Sequence, residues 1–93
     1  MNEAPYLASR IEPPTMKYAV GVVRNVDLIA REIEVSVAGK DIRFDVPPDC
    51  PVILRGERIK LRLIQKGDRV VLAYRILHAL NEVYRLEVQP ETP

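Results

Sequence analysis

Apolar and polar positions alternate with a period of two along most of this chain, and the alternation is cleanest near the end. Val70, Leu72, Tyr74 and Ile76 interleave with Arg69, Val71, Ala73 and Arg75, the pattern of a half-buried strand. The residues before it read as a stop. Leu61 to Gln65 predicts one helical or 3₁₀ turn, closed by Gly67, which tolerates positive φ, and by Asp68, whose carboxylate can accept from nearby main-chain N–H groups. Upstream, residues 17–28 predict a first strand with Tyr18, Val20, Val22, Val26 and Leu28 as its apolar positions. Its alternation breaks between Gly21 and Arg24, which predicts a bulge at or after the glycine. Residues 31–38 predict a second strand with Ile33, Val35 and Val37 inward. Ala38-Gly39-Lys40 predicts a tight turn, and residues 41–46 a third strand with Ile42, Phe44 and Val46 inward.

Pro47-Pro48-Asp49-Cys50-Pro51 breaks the ladder, since proline cannot donate to it. A small hairpin around Gly56 follows, from Val52 to Leu54 and from Glu57 to Lys60. Strands over 68–77 and 82–89, joined by a loop near His78 to Asn81, complete the series. Short strands at such spacings predict an all-β fold, a small five- to six-stranded OB-like barrel with a short helical turn before the Gly-Asp strand. The expected domain is 17–89, between an N-terminal tail over 1–16 that holds three prolines and a C-terminal tail over 90–93. Parity places Val35, Phe44, Val46, Val70, Leu72, Tyr74 and Leu86 in one interior. It assigns Tyr18 and Tyr84 to the core as well, and leaves Val71, Leu77 and Val83 outward.

Gly21-Val-Val-x-x-Val26-Asp27-Leu28, Ile33-x-Val35 and Leu63-x-x-x-Gly67-Asp68-Arg69-Val70 together resemble the pattern of small bacterial OB-like barrels. One branch is a domain of unknown function in exported bacterial proteins; its mid-chain glycine hairpin has a counterpart at Leu54 to Ile59. Another is the periplasmic copper- and silver-binding accessory protein of heavy-metal efflux systems. The resemblance covers about residues 19–88 and implies the barrel fold. The metal-binding branch uses one histidine, one tryptophan and two methionines around its second and third strands. Soft ligands of that kind suit Cu(I) and Ag(I). This chain has no tryptophan, and Arg31 to Val46 contains neither His nor Met. The metal-binding role therefore transfers to no residue here, and no cofactor or metal is expected.

Ninety-three residues bound the chain to one domain with a modest core, and 47% apolar with 29% charged residues is ordinary for a globular protein. The net charge is +1, but it is unevenly placed: residues 55–75 carry a balance of +5, and the segments on either side carry −2 each. A single cysteine, Cys50, excludes an intramolecular disulfide. No apolar run approaches a membrane span. With Met1 as the native start the expected compartment is the cytoplasm. With a signal peptide removed it is the periplasm or the exterior.

Catalytic chemistry finds little support. The hydroxyl nucleophiles are Ser9, Thr15, Ser36 and Thr92, three of them in or near the tails. An activated nucleophile needs an adjacent base, and His78, the only histidine, follows a strand end. The four glycines are scattered, so no phosphate loop is expected. The candidate binding surface is the basic stretch, with Arg55, Arg58, Lys60, Arg62, Arg69 and Arg75. OB-type barrels bind single strands through a positive groove with aromatic stacking platforms, yet every barrel aromatic here has core parity. The expected function is a non-catalytic binding or accessory module with a protein partner, a homodimer included. The alternative is single-stranded nucleic acid on segment 55–75.

Overall fold

The computed structural model describes residues 16–90; the expectations for the tails fall outside these except at Met16 and Pro90. Among the described residues seven strands run in chain order: β1 Lys17–Asp27, β2 Glu32–Val37, β3 Lys40–Asp45, β4 Val52–Leu54, β5 Glu57–Arg58, β6 Arg69–Leu77 and β7 Leu80–Gln89. A 3₁₀ turn over Leu61–Leu63 precedes β6. The sheet order is β3-β2-β1-β6-β7-β4-β5. It closes where β3 meets β7 in parallel at Asp45 and Glu82. Asn81 Nδ2 donates to the Arg43 carbonyl across the same seam. The result is a closed five-stranded all-β barrel of the OB type, with β4 and β5 as an added hairpin.

Strand β1 serves two neighbours. Its first half pairs with β6, from Lys17 opposite Tyr74 to Val22 opposite Arg69. Its second half pairs with β2, from Val22 opposite Ser36 to Asp27 opposite Glu32. Gly21 sits at the changeover. A Cβ there would run into the Ser36 carbonyl oxygen and lie 2.7 Å from Val35 Cγ1. The expected bulge falls just beyond it, between Val23 and Asn25.

This crowding corrects the expected phase of β1. The inward positions are Ala19, Gly21 and Val23, while Tyr18 and Val20 are 72% and 57% exposed. Small residues face in because β2 passes close on that side, so the larger apolar residues are left on the outer surface. A second bulge corrects β7. Ala73 pairs with Arg85 but Tyr74 with Val83, which makes Tyr84 the extra residue. Val83, expected outward, is buried, and Tyr84, expected in the core, is half-buried. Ile76 shares the parity of Leu72 but lies near the hairpin tip, opposite Asn81, and is exposed.

The interior otherwise has the expected members. Val35, Phe44, Val46, Val70, Leu72 and Leu86 are fully buried, and Tyr74 is half-buried against them. Phe44 meets Tyr74 edge to face at 5.0 Å between ring centres. The 3₁₀ turn adds Leu61 and Ile64. Asp68 then accepts from the Gln65 N–H at 2.9 Å, and Gly67, at φ 97°, donates to the Val23 carbonyl. The β6–β7 connection is tighter than expected: His78 and Ala79, both at positive φ, form a two-residue turn, and Asn81 lies within β7.

Candidate binding groove

Three loops meet beside the β4–β5 hairpin. The first, residues 28–31, joins β1 to β2. Asp27 shapes it, with Oδ1 accepting from the N–H groups of Ile29 and Ala30 at 3.1 and 3.0 Å. The turn ends on Arg31 at φ 54°, which sends the side chain toward the proline-rich loop. There Arg31 Nε donates to the Val46 carbonyl at 2.9 Å and Nη2 to the Pro47 carbonyl at 3.3 Å. The second loop is that proline stretch. The Cys50 N–H donates to the Pro47 carbonyl, and the Pro51 carbonyl accepts from the Leu86 N–H, both at 3.0 Å. The third runs from β5 into the 3₁₀ turn, and Arg58 Nη2 reaches the Asp49 carbonyl at 3.4 Å.

Between these loops lies a groove of about 670 Å³, within the size range of ligand sites. Leu28, Val52, Ile59 and Leu61 supply aliphatic lining, and Arg31, Arg58, Lys60 and Arg62 supply four cations. Among the described residues, no carboxylate and no aromatic ring lines it. Four like charges around a partly apolar recess repel one another when empty and favour an anion.

Cys50 also lines the groove, but its thiol is a poor nucleophile. Burial pushes its pKa up to about 11. Arg31 opposes that rise, Asp49 adds to it and Arg58 opposes it. The reactive form is the thiolate, so a buried thiol of this kind stays protonated at neutral pH.

The basic residues singled out from the sequence do not form one surface. Arg58, Lys60 and Arg62 share the groove. Arg55 lines a separate recess of about 490 Å³ with Leu63, Asp68 and Val88. Arg69 is exposed on β6, opposite Val22 and Gln89. Arg75 is held by its own fold: Nη2 lies 3.0 Å from Glu82 Oε1, and the guanidinium sits 4.6 Å from the centre of the Tyr84 ring. Sequence reasoning missed Arg31, the fourth cation of the groove, and Leu28 beside it. They lie outside the basic run, and the signal was available in Asp27, which turns the chain at that point.

The remaining candidates stay apart from this groove. His78 is exposed at the β6–β7 turn. Ser36 lies on β2 between Val22 and Asp41. Among the described residues, no three His, Cys, Asp or Glu side chains are placed to hold a metal ion. No described helix is long and apolar enough to cross a membrane.

No family model matches the chain, and no curated protein matches it in sequence. Solved structures do share its fold. Apo-CusF from Escherichia coli, residues 6–88, is 21% identical with a TM-score of 0.65, covering 97% of this chain and 96% of that one. CusF residues 10–88 with Ag(I) is 22% identical with a TM-score of 0.63, covering 83% and 95%. The fimbrial biogenesis protein PilY2 from Pseudomonas aeruginosa PAO1 is 13% identical with a TM-score of 0.59, covering 81% and 88%. At these identities the likeness speaks to the fold and leaves the chemistry to the residues present.

Proposed function

We propose that this barrel is a non-catalytic accessory module that docks a protein partner in the groove between residues 28–31, the proline-rich loop and the β5–3₁₀ segment. One observation carries the reading. The fold brings Arg31, distant in sequence, beside Arg58, Lys60 and Arg62 around an aliphatic lining with no carboxylate among the described residues. Cations spread over an ordinary solvated face would be interspersed with acids and would lack the apolar recess. The shared fold with CusF, together with the sequence resemblance to exported and periplasmic barrels, supports an exported or periplasmic setting.

The test is affinity capture from the native organism after nuclease treatment, with wild type beside an Arg58→Glu/Arg62→Glu variant. Proteins retained by wild type and lost by the variant are the expected result. Capture that ignores the charge reversal moves the docking site elsewhere.

Single-stranded nucleic acid is the second reading, and the cationic cluster is what favours it. Stacking on aromatic side chains supplies about 1–3 kcal/mol per base in such proteins, and no described aromatic ring lines this groove. Affinity for single strands is expected to stay in the ~10⁻⁴–10⁻⁶ M range of non-specific contacts and to fall with salt. Fluorescence anisotropy at two salt concentrations checks both.

A further inference from the structure

We infer that the groove's ligand is an extended acidic peptide segment carrying an aliphatic side chain, held partly by strand pairing along the outer edge of β5. The inference rests on the docking reading above and names the chemistry of the partner. Its support comes from three features of different kinds.

The first is charge. Among the described residues four cations line the groove and no carboxylate does, so a partner segment rich in Asp or Glu meets complementary potential. The second is the lining. Leu28 and Ile59 offer aliphatic surface without a ring, which suits a Leu- or Ile-like side chain and gives a base nothing to stack on. The third is the main chain. Among the described residues β5 is the last strand of the sheet. Leu54 pairs with Glu57 and Ile53 with Arg58, and the Ile59 N–H donates to the Val52 carbonyl at 2.8 Å. In an antiparallel ladder hydrogen-bonded and non-hydrogen-bonded pairs alternate. Ile53–Arg58 is thus the non-bonded pair, and the Arg58 N–H and C=O turn away from β4, at the border of the groove. An added strand takes its affinity from main-chain groups like these and its selectivity from the pockets beside them.

The three features predict three separable contributions. The probe is a fluorescein-labelled octapeptide of alternating Leu and Asp or Glu, titrated by anisotropy into the full chain. The comparison probes are a Leu-to-Ser version, an Asn/Gln version without charge, a version N-methylated at alternate amides, and an oligo-dT of similar length. Arg58→Glu, Lys60→Glu and Ile59→Asp are the protein variants, with circular dichroism confirming that each is folded. Saturable binding is expected, weakened roughly tenfold by loss of the Leu side chains and roughly tenfold by each charge reversal. N-methylation should weaken it as well.

Equal binding of the Leu and Ser peptides, indifference to N-methylation, or no saturation at millimolar peptide overturns the inference. Tighter binding of oligo-dT overturns the inference and the docking reading together. If the peptide fails while partner capture still depends on Arg58 and Arg62, the peptide chemistry alone is wrong and protein docking stands.

Discussion

Phe44→Ala is the substitution that puts the barrel interior under the most direct strain. Phe44 is the largest fully buried side chain among the described residues. It sits near the end of β3 opposite Ile33, which is also buried, and its ring meets Tyr74 edge to face at 5.0 Å and 83°. Truncating a buried Phe to Ala costs about 3–5 kcal/mol through lost transfer energy and the cavity left behind. About 0.5–1.5 kcal/mol of that belongs to an aromatic edge contact. A domain of this size has about 5–15 kcal/mol in all. Each lost kcal/mol lowers its melting temperature by about 4–8 °C, so the variant should melt roughly 15–35 °C below wild type. Urea denaturation followed by circular dichroism gives the free energy directly, and thermal melts give the shift. Phe44→Leu separates the two contributions, because it restores most of the volume but not the ring edge. A melting temperature within about 5 °C of wild type for Phe44→Ala, at unchanged denaturant slope, would refute the placement of β3 against β6.

Gly21→Ala should cost about 1–3 kcal/mol or more, because the new methyl meets main-chain atoms of β2 that cannot rotate away; a urea midpoint close to wild type would count against the β1 changeover. Ala79→Gly should raise stability by about 1 kcal/mol, since Ala79 holds φ 64° at a turn position where glycine is unstrained, and a melting curve reads the gain. Cys50 should react slowly with a disulfide reagent at pH 8, with the rate rising steeply once the chain is unfolded in urea. Its pKa is raised from 9.0 to about 11 by burial, so the folded state holds the proton more tightly than the unfolded state. Stability relative to Cys50→Ala should therefore be constant below about pH 9 and decline as pH rises toward about 11; a constant difference across that window would show the thiol to be solvated.

Much of the barrel was legible because its turns are written in residues with little freedom of interpretation. Ala38-Gly39, Arg55-Gly56 and Lys66-Gly67 each close at the expected place, and in each the glycine takes positive φ. Where sequence reasoning failed, the cause was local register. The rule that large apolar residues face inward put Tyr18 and Val20 in the core. The close passage of β2 reserves that side for Ala19 and Gly21. Tyr84 failed for a related reason: one inserted residue reverses every side chain beyond it, and nothing in Val83-Tyr84-Arg85 marks the insertion. The groove was half legible. Arg58, Lys60 and Arg62 belong to one short segment and were found as a basic run. Arg31 arrives from another hairpin, and only the pairing of β1 with β2 and the bonds of Arg31 to Val46 and Pro47 place it there. Arg75 illustrates the converse, a residue that counts as basic in the sequence and is already engaged by Glu82 and Tyr84.

The groove as the docking surface is tested most directly by backbone amide chemical shifts, recorded on the ¹⁵N-labelled chain while the acidic Leu-containing peptide is added. Shifts should concentrate in residues 28–31, in Asp49, Cys50 and Val52, and in residues 58–62, with the Arg58 amide among the largest movers, and should disappear in the Arg58→Glu/Arg62→Glu variant. Saturable shifts centred instead on Tyr18, Val20 and Val71 of the outer sheet face, with the groove amides unmoved, would contradict it.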